Sequence, residues 1–260
     1  MKLKKSPLLL LIITFIFVIT GLGFTYFKHN KTIPSKNNVT KKNWLDDPYL
    51  RWSYTHMKEF TLINEVNNNP DHVSHFSTTS QNLDDFAVER RFGHTTPLKK
   101  LLDDNKTDAF VVVHNGQLVY ERYFNGYNES EPHGMASLAK VFTGAIIQSL
   151  AEENRIDLEK TADAYIKELK NTPFGNASLQ QLLDMQVSVE YPTHGYEHPA
   201  LENQDAQLYL ASNILPRGKN YDGPMKIYDM LREAEETAPP GSDFSYDNGS
   251  AETLAWVIRK

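Results

Sequence analysis

Cysteine is absent from the 260-residue chain. That excludes a disulfide framework, a thiolate zinc site, a cysteine nucleophile and a lipid-modified N-terminal cysteine. An excess of positive charge is lacking too. Lys and Arg total 27 against 33 Asp and Glu, a net charge of −6. A nucleic-acid surface asks for the opposite balance, so no nucleic-acid partner is expected. No G-x-S-x-G occurs, because Gly134 stands three places before Ser137 and no glycine follows within reach. The nucleophile elbow of the α/β-hydrolases is thereby excluded. There is no internal repeat and no low-complexity tract.

What is present begins with Lys2, Lys4 and Lys5, followed by an uncharged apolar run from Pro7 to Phe27. As a helix this run rises about 31 Å, the thickness of a bilayer's hydrocarbon core. A cleaved signal peptide has a shorter apolar region, about 7–15 residues, and small residues at its cleavage site. Gly21-Leu22-Gly23 fits such a site poorly. Residues 1–31 are therefore expected to be a membrane anchor or signal segment, with an uncleaved anchor through 7–27 favoured. Lysines flank both ends, and the N-terminus is placed in the cytoplasm with the remainder outside, at the cell envelope. Residues 32–50, polar and lysine-rich, read as a tether. The rest is long enough for one sizeable core.

Residues 51–107 mix aromatics (Trp52, Tyr54, Phe60) with polar clusters such as Asn67-Asn68-Asn69-Pro70, and read as a segment wrapping the main domain. Regular structure is expected from Asp108. Ala109–His114 and Gln117–Phe124 are β-rich runs joined by Asn115-Gly116, the strongest short hairpin signal. A helix follows over about Met135–Glu153. Its apolar face is expected to be Leu138, Val141, Phe142, Ala145, Ile146, Ser149 and Leu150, at spacings of three and four, with Asn154 ending it. Further helices are predicted over Leu158–Leu169 and Leu179–Met185, the latter opened by a Ser178–Gln181 capping box. Pro239-Pro240-Gly241 is a turn, Asp243–Tyr246 is extended, and Ala251–Lys260 starts another helix. Strands, then helices, then a return imply an α+β domain over 108–260 with an antiparallel sheet and no βαβ rhythm.

Ser137 and Lys140, three apart, share one helix face. A serine hydroxyl is a poor nucleophile until a base takes its proton. A free lysine, at about 10.4, is a poor base until burial or nearby positive charge lowers it. Leu138, Ala139, Val141 and Phe142 are the candidates for that desolvation. A lone S-x-x-K arises about once by chance in a chain of this composition, so its setting decides. It opens a helix after a hairpin, and Tyr246-x-Asn248 follows. A tyrosine passes protons, and an asparagine amide orients a lysine or binds a carbonyl. The plain alternatives are a core tyrosine and an Asp247-Asn248-Gly249 turn. His194-Gly195-Tyr196-Glu197-His198 spells H-x-x-E-H, a zinc pattern that requires a helix. Pro192, Gly195 and Pro199 argue for a polar loop instead. No metal or cofactor is expected.

Ser137-x-x-Lys140 with Tyr246-x-Asn248 resembles the serine β-lactamase and penicillin-binding-protein superfamily. Tyrosine in the second motif is similar to the class C branch. Thr107–Val112, Met135–Lys140, Leu183–Val189 and Phe244–Trp256 resemble the 6-aminohexanoate-dimer (nylon-oligomer) hydrolases. The resemblance implies a transpeptidase-like sheet flanked by helices, with an all-helical insert. It implies acyl transfer: Ser137 attacks an amide or ester carbonyl, while Lys140 and Tyr246 handle the proton. Asn248 and, on the loop after the Leu-Asp-Met-Gln segment, Tyr196 would contact substrate. A third motif, Lys-Thr-Gly or His-x-Gly, would be expected downstream, yet the sequence stops at Lys260. The expected fold is thus incomplete at its C-terminus, and weak activity or folding is expected of these residues alone. The functional expectation is a serine hydrolase of small linear amides or esters. A D-alanyl carboxypeptidase or β-lactamase, or a non-catalytic binding module or inactive fragment, are the alternatives.

Overall fold

A computed structural model describes residues 36–67, 69–199 and 201–260. The expected anchor, through Pro7–Phe27, lies outside the described residues. Among those described, no helix is long and apolar enough to cross a membrane. The described residues form two compact units, one within 63–133 and one made of 36–62 with 134–260. This partition differs from the expected boundary at 107/108.

The first stretch of the larger unit, 36–62, carries the short helix α1 (Leu50–Ser53). Trp44 falls inside the segment read as a tether, yet it is 3% exposed. Its indole packs against Phe60 and Tyr209, at centroid distances of 6.2 and 5.7 Å. Ser53 Oγ donates to Trp44 O at 2.6 Å. Burial of a side chain this large outweighs the polar, loop-like composition around it.

The smaller unit holds β1 (Ser77–Thr78), β2 (Ala87–Glu89), β3 (Thr95–Pro97), helix α2 (Leu98–Asp104), β4 (Ala109–His114) and β5 (Gln117–Tyr123). The β4–β5 hairpin forms as expected. Asn115 and Gly116 both adopt positive φ, 51° and 73°, as a two-residue turn of this kind requires. A register shift at Val112/Val113 bends it. The sheet is mixed rather than purely antiparallel, because β1 adds in parallel to β5 in the order β1-β5-β4. The open edge of β5 recruits it, and N–H groups of Thr79 and Gln81 extend the pairing to Leu118 and Val119 carbonyls.

The larger unit resumes with a tight 3-10 turn at Ala136–Ala139 that runs into α3 (Lys140–Glu152). Asn154, at φ 57°, closes the end of this helix. Then come α4 (Pro173–Asn176), α5 (Leu179–Leu183), β6 (Ser188–Glu190), α6 (Asn203–Ala211), α7 (Ile227–Glu233), β7 (Glu235–Ala238) and α8 (Asn248–Arg259). The Ser178–Gln181 capping box opens α5 as predicted. The insert is not wholly helical, since β6 and β7 pair antiparallel. The helix predicted over Leu158–Leu169 is replaced by two 3-10 turns. Its backbone bonds elsewhere: the carbonyls of Leu158 and Lys160 accept from the N–H groups of Gln180 and Leu179. The core gathers Ile166, Leu169, Phe174, Leu179, Leu182, Met230 and Leu231 around Leu254, Trp256 and Val257 of α8.

The expected apolar face of α3 is a further correction. Leu138, Val141 and Phe142 are 62, 63 and 61% exposed, and Ile147 is the buried residue of the helix. The less exposed side is the one through Lys140, Thr143, Gly144, Ile147 and Ala151. These are mostly small side chains, and α3 packs along α8. Spacing marks the stripe through Leu138, Val141, Phe142 and Ile146, and that bulky stripe does not face this core.

Candidate active site

Three elements converge on Lys140. The 3-10 turn supplies Ser137, α3 begins at Lys140, and α8 begins at Asn248. Ala136, just before the serine, has φ 46°, a left-handed conformation that costs a non-glycine residue on the order of 1 kcal/mol. This sharp backbone sets the serine on the exposed outside of the turn, one turn from the lysine.

Lys140 Nζ donates to Ser137 Oγ at 3.0 Å and to Asn248 Oδ1 at 2.7 Å. It also lies 5.3 Å from the centre of the Tyr246 ring, so the aromatic face of Tyr246 meets the ammonium. The structure therefore brings together Ser137, Lys140, Tyr246 and Asn248, from positions more than a hundred residues apart in sequence. Tyr196 stands apart: its N–H donates to Thr193 O, its ring faces His198 at 6.4 Å, and burial raises its phenol. Among the described residues it forms no hydrogen bond to the other four. The desolvation expected from Leu138, Val141 and Phe142 is not supplied, because those side chains face outward.

The α8 N-terminus is held from several sides. Asp247 caps it, accepting from Gly249 N at 2.6 Å and from the Tyr191 hydroxyl at 2.9 Å. Gly249 has no room for a Cβ, which would collide with the Phe174 ring and the Tyr191 hydroxyl. Burial raises the Asp247 carboxyl, opposed by Tyr191, the Gly249 and Ser250 N–H groups and Lys140. Burial likewise raises Glu252, one turn further on, with Lys140 opposing.

Two residues invisible to motif reading complete the site. Gln204 accepts from Asn248 N at 3.0 Å and donates to Tyr246 O at 3.1 Å, bracing both ends of the Tyr-Asp-Asn tripeptide. Asp205 Oδ1 accepts from Asn248 Nδ2 at 2.6 Å. Both open α6, and only the surplus of polar residues at a helix start hinted at them.

The H-x-x-E-H segment is turn and loop. His194, at φ 48°, has Nε2 2.9 Å from Glu233 Oε2 and Nδ1 3.5 Å from Asp222 Oδ1. Among the described residues no group of His, Asp and Glu is arranged to hold a metal ion.

Comparison with known proteins fits this geometry. The chain is 25% identical over 221 residues to 6-aminohexanoate-dimer hydrolase of Paenarthrobacter ureafaciens, covering 85% of this chain and 53% of that protein. A solved structure from Bacillus anthracis, provisionally designated a 6-aminohexanoate-dimer hydrolase, is 88% identical with a TM-score of 0.84. It covers 88% of this chain and 59% of its own. The chain thus spans a little over half the length of both relatives. The family model described as Beta-lactamase matches residues 98–260, a span that includes Ser137, Lys140, Tyr246 and Asn248. With that span and this hydrogen-bonded serine–lysine pair, the chain belongs to the beta-lactamase family.

Proposed function

We propose that this chain carries the nucleophile and base of a serine hydrolase that cleaves small linear amides through an acyl-enzyme. The observation that carries the reading is the line Ser137 Oγ–Lys140 Nζ–Asn248 Oδ1, at 3.0 and 2.7 Å. With Lys140 neutral, its Nζ takes the Ser137 proton as Oγ attacks the substrate carbonyl. The tetrahedral oxyanion is met by the Ser137 backbone N–H. Collapse breaks the C–N bond, and a proton passed by Lys140 and Tyr246 leaves with the amine. Water then attacks the ester on Ser137 and releases the acid, restoring the hydroxyl. Asn248 holds the lysine throughout. Tyr196, on the loop between β6 and α6, is proposed to reach the substrate amide.

The relatives' names favour a linear amide, and the exposed setting of Ser137 leaves room for an extended substrate. The test is labelling of the chain by a fluorophosphonate, with Ser137→Ala as control. Labelling lost in S137A, together with release of 6-aminohexanoate from its linear dimer, is the expected result. Acylation by a fluorescent penicillin without dimer hydrolysis would move the substrate to penicillins. No labelling at all would leave a binding module.

We also propose that the chain is anchored by residues 7–27 with the site outside the cytoplasmic membrane. The uncharged length of that run supports it. Alkaline carbonate washing of membranes from producing cells should leave the chain in the pellet, and its release would remove the anchor.

A further inference from the structure

We propose that Asp205 is a positioning residue that fixes which end of the Asn248 amide faces Lys140. The inference rests on the serine-hydrolase reading of Ser137 and Lys140. An asparagine side chain presents a carbonyl and an amino group of nearly the same shape, and a half-turn exchanges them. Nothing in a Tyr-x-Asn motif selects one orientation. Here Asn248 is 5% exposed, so water does not compensate a wrong pairing. On one side Lys140 Nζ approaches at 2.7 Å, and on the other Asp205 Oδ1 approaches at 2.6 Å. A carboxylate only accepts and an ammonium only donates. The flipped amide would set carbonyl against carboxylate and amino group against ammonium. Asp205 therefore forces Oδ1 toward Lys140, which ties down one N–H direction of the lysine and leaves another for Ser137. Gln204, its neighbour, holds the Asn248 backbone N–H, so the amide turns about a fixed point.

Asp205 also places a negative charge one amide away from Lys140. The other charged groups facing the lysine are Asp247 and Glu252 of α8, with Ser137 and the Tyr246 ring completing its surroundings.

The test is the fluorophosphonate labelling rate of Ser137 in the full chain. Asp205→Asn keeps the shape, removes the charge and permits either flip. Its labelling rate is expected to fall about tenfold. A purely structural loss would lower the rate by the same factor with or without the Asn248 amide. In an Asn248→Ala background, where there is no amide to orient, the same substitution should change the rate less than about twofold. A full tenfold loss in the N248A background overturns the proposal. Should D205N not melt cooperatively, Asp205→Ser carries the same comparison. A wild-type chain that never labels ends both the hydrolase reading and this inference. Labelling lost in S137A but indifferent to D205N ends the inference alone.

Discussion

Asn248 is nearly buried, yet its side chain meets Lys140 and Asp205 and its backbone N–H meets Gln204. Polar groups in such a position are tolerated because every one of them is matched. Its neighbours on α8 are less comfortable. Burial raises the carboxyls of Asp247 and Glu252, so the folded chain holds their protons more tightly than the unfolded chain does. The stability tied to such a group is present below its ordinary value and lost as pH rises through the raised one. Glu252→Gln removes that dependence. At pH 7 the E252Q chain should therefore melt above wild type, and its advantage should shrink as pH falls toward 4.5, the ordinary glutamate value. A difference in melting temperature that stays constant from pH 7 to 4.5 would show that Glu252 is not strained in this way.

At the scale of elements, α3 presents two faces of different worth. Ile147 is wholly buried against the core, whereas Phe142, though larger, is mostly exposed. Truncating Ile147 to alanine should cost about 2–4 kcal/mol through lost burial and the cavity left behind. Phe142→Ser should cost less than about 0.5 kcal/mol. Urea unfolding of the two variants checks this, and equal losses would mean that the Phe142 face is covered in solution. The helix shows why periodicity reads an element well and its orientation poorly. Leu138, Val141, Phe142 and Ile146 made the bulkier stripe, but Thr143, Gly144 and Ala151 lie on the side that packs along α8. Small residues carry little hydrophobic signal. Turn chemistry, by contrast, was fully legible: Asn115-Gly116 and the Ser178–Gln181 box act within a few residues and need no distant partner. The segment 158–169 failed for the complementary reason. Its carbonyls are claimed by residues 179 and 180, a pairing that no local propensity encodes.

For the whole molecule, family resemblance reached further than composition did. Ser137, Lys140, Tyr246 and Asn248 could be named in advance because their types and spacing carry chemistry, and the other three meet at Lys140. Gln204 and Asp205 could not, because their role exists only once α6 is packed beside α8. Burial of Trp44 was hidden similarly, since its partner Tyr209 lies far along the chain. The smaller unit owes its mixed sheet to two residues, Ser77 and Thr78, too few to register as a strand before β5 offers them an edge.

The consecutive placement of Gln204 and Asp205 restricts how this protein can change in length. Each residue added to a helix rotates the side chains beyond it by about 100°. One extra residue inside α6 just after Asp205 would swing both side chains off the Tyr-Asp-Asn tripeptide together, because buried Ala206, Gln207, Leu210 and Ala211 hold the rest of the helix in place. The same addition upstream, in the loop spanning 192–199, would leave their phase untouched. Length variation among descendants of this chain should therefore be free in the loop before α6 and arrive only in whole turns within the helix after Asp205.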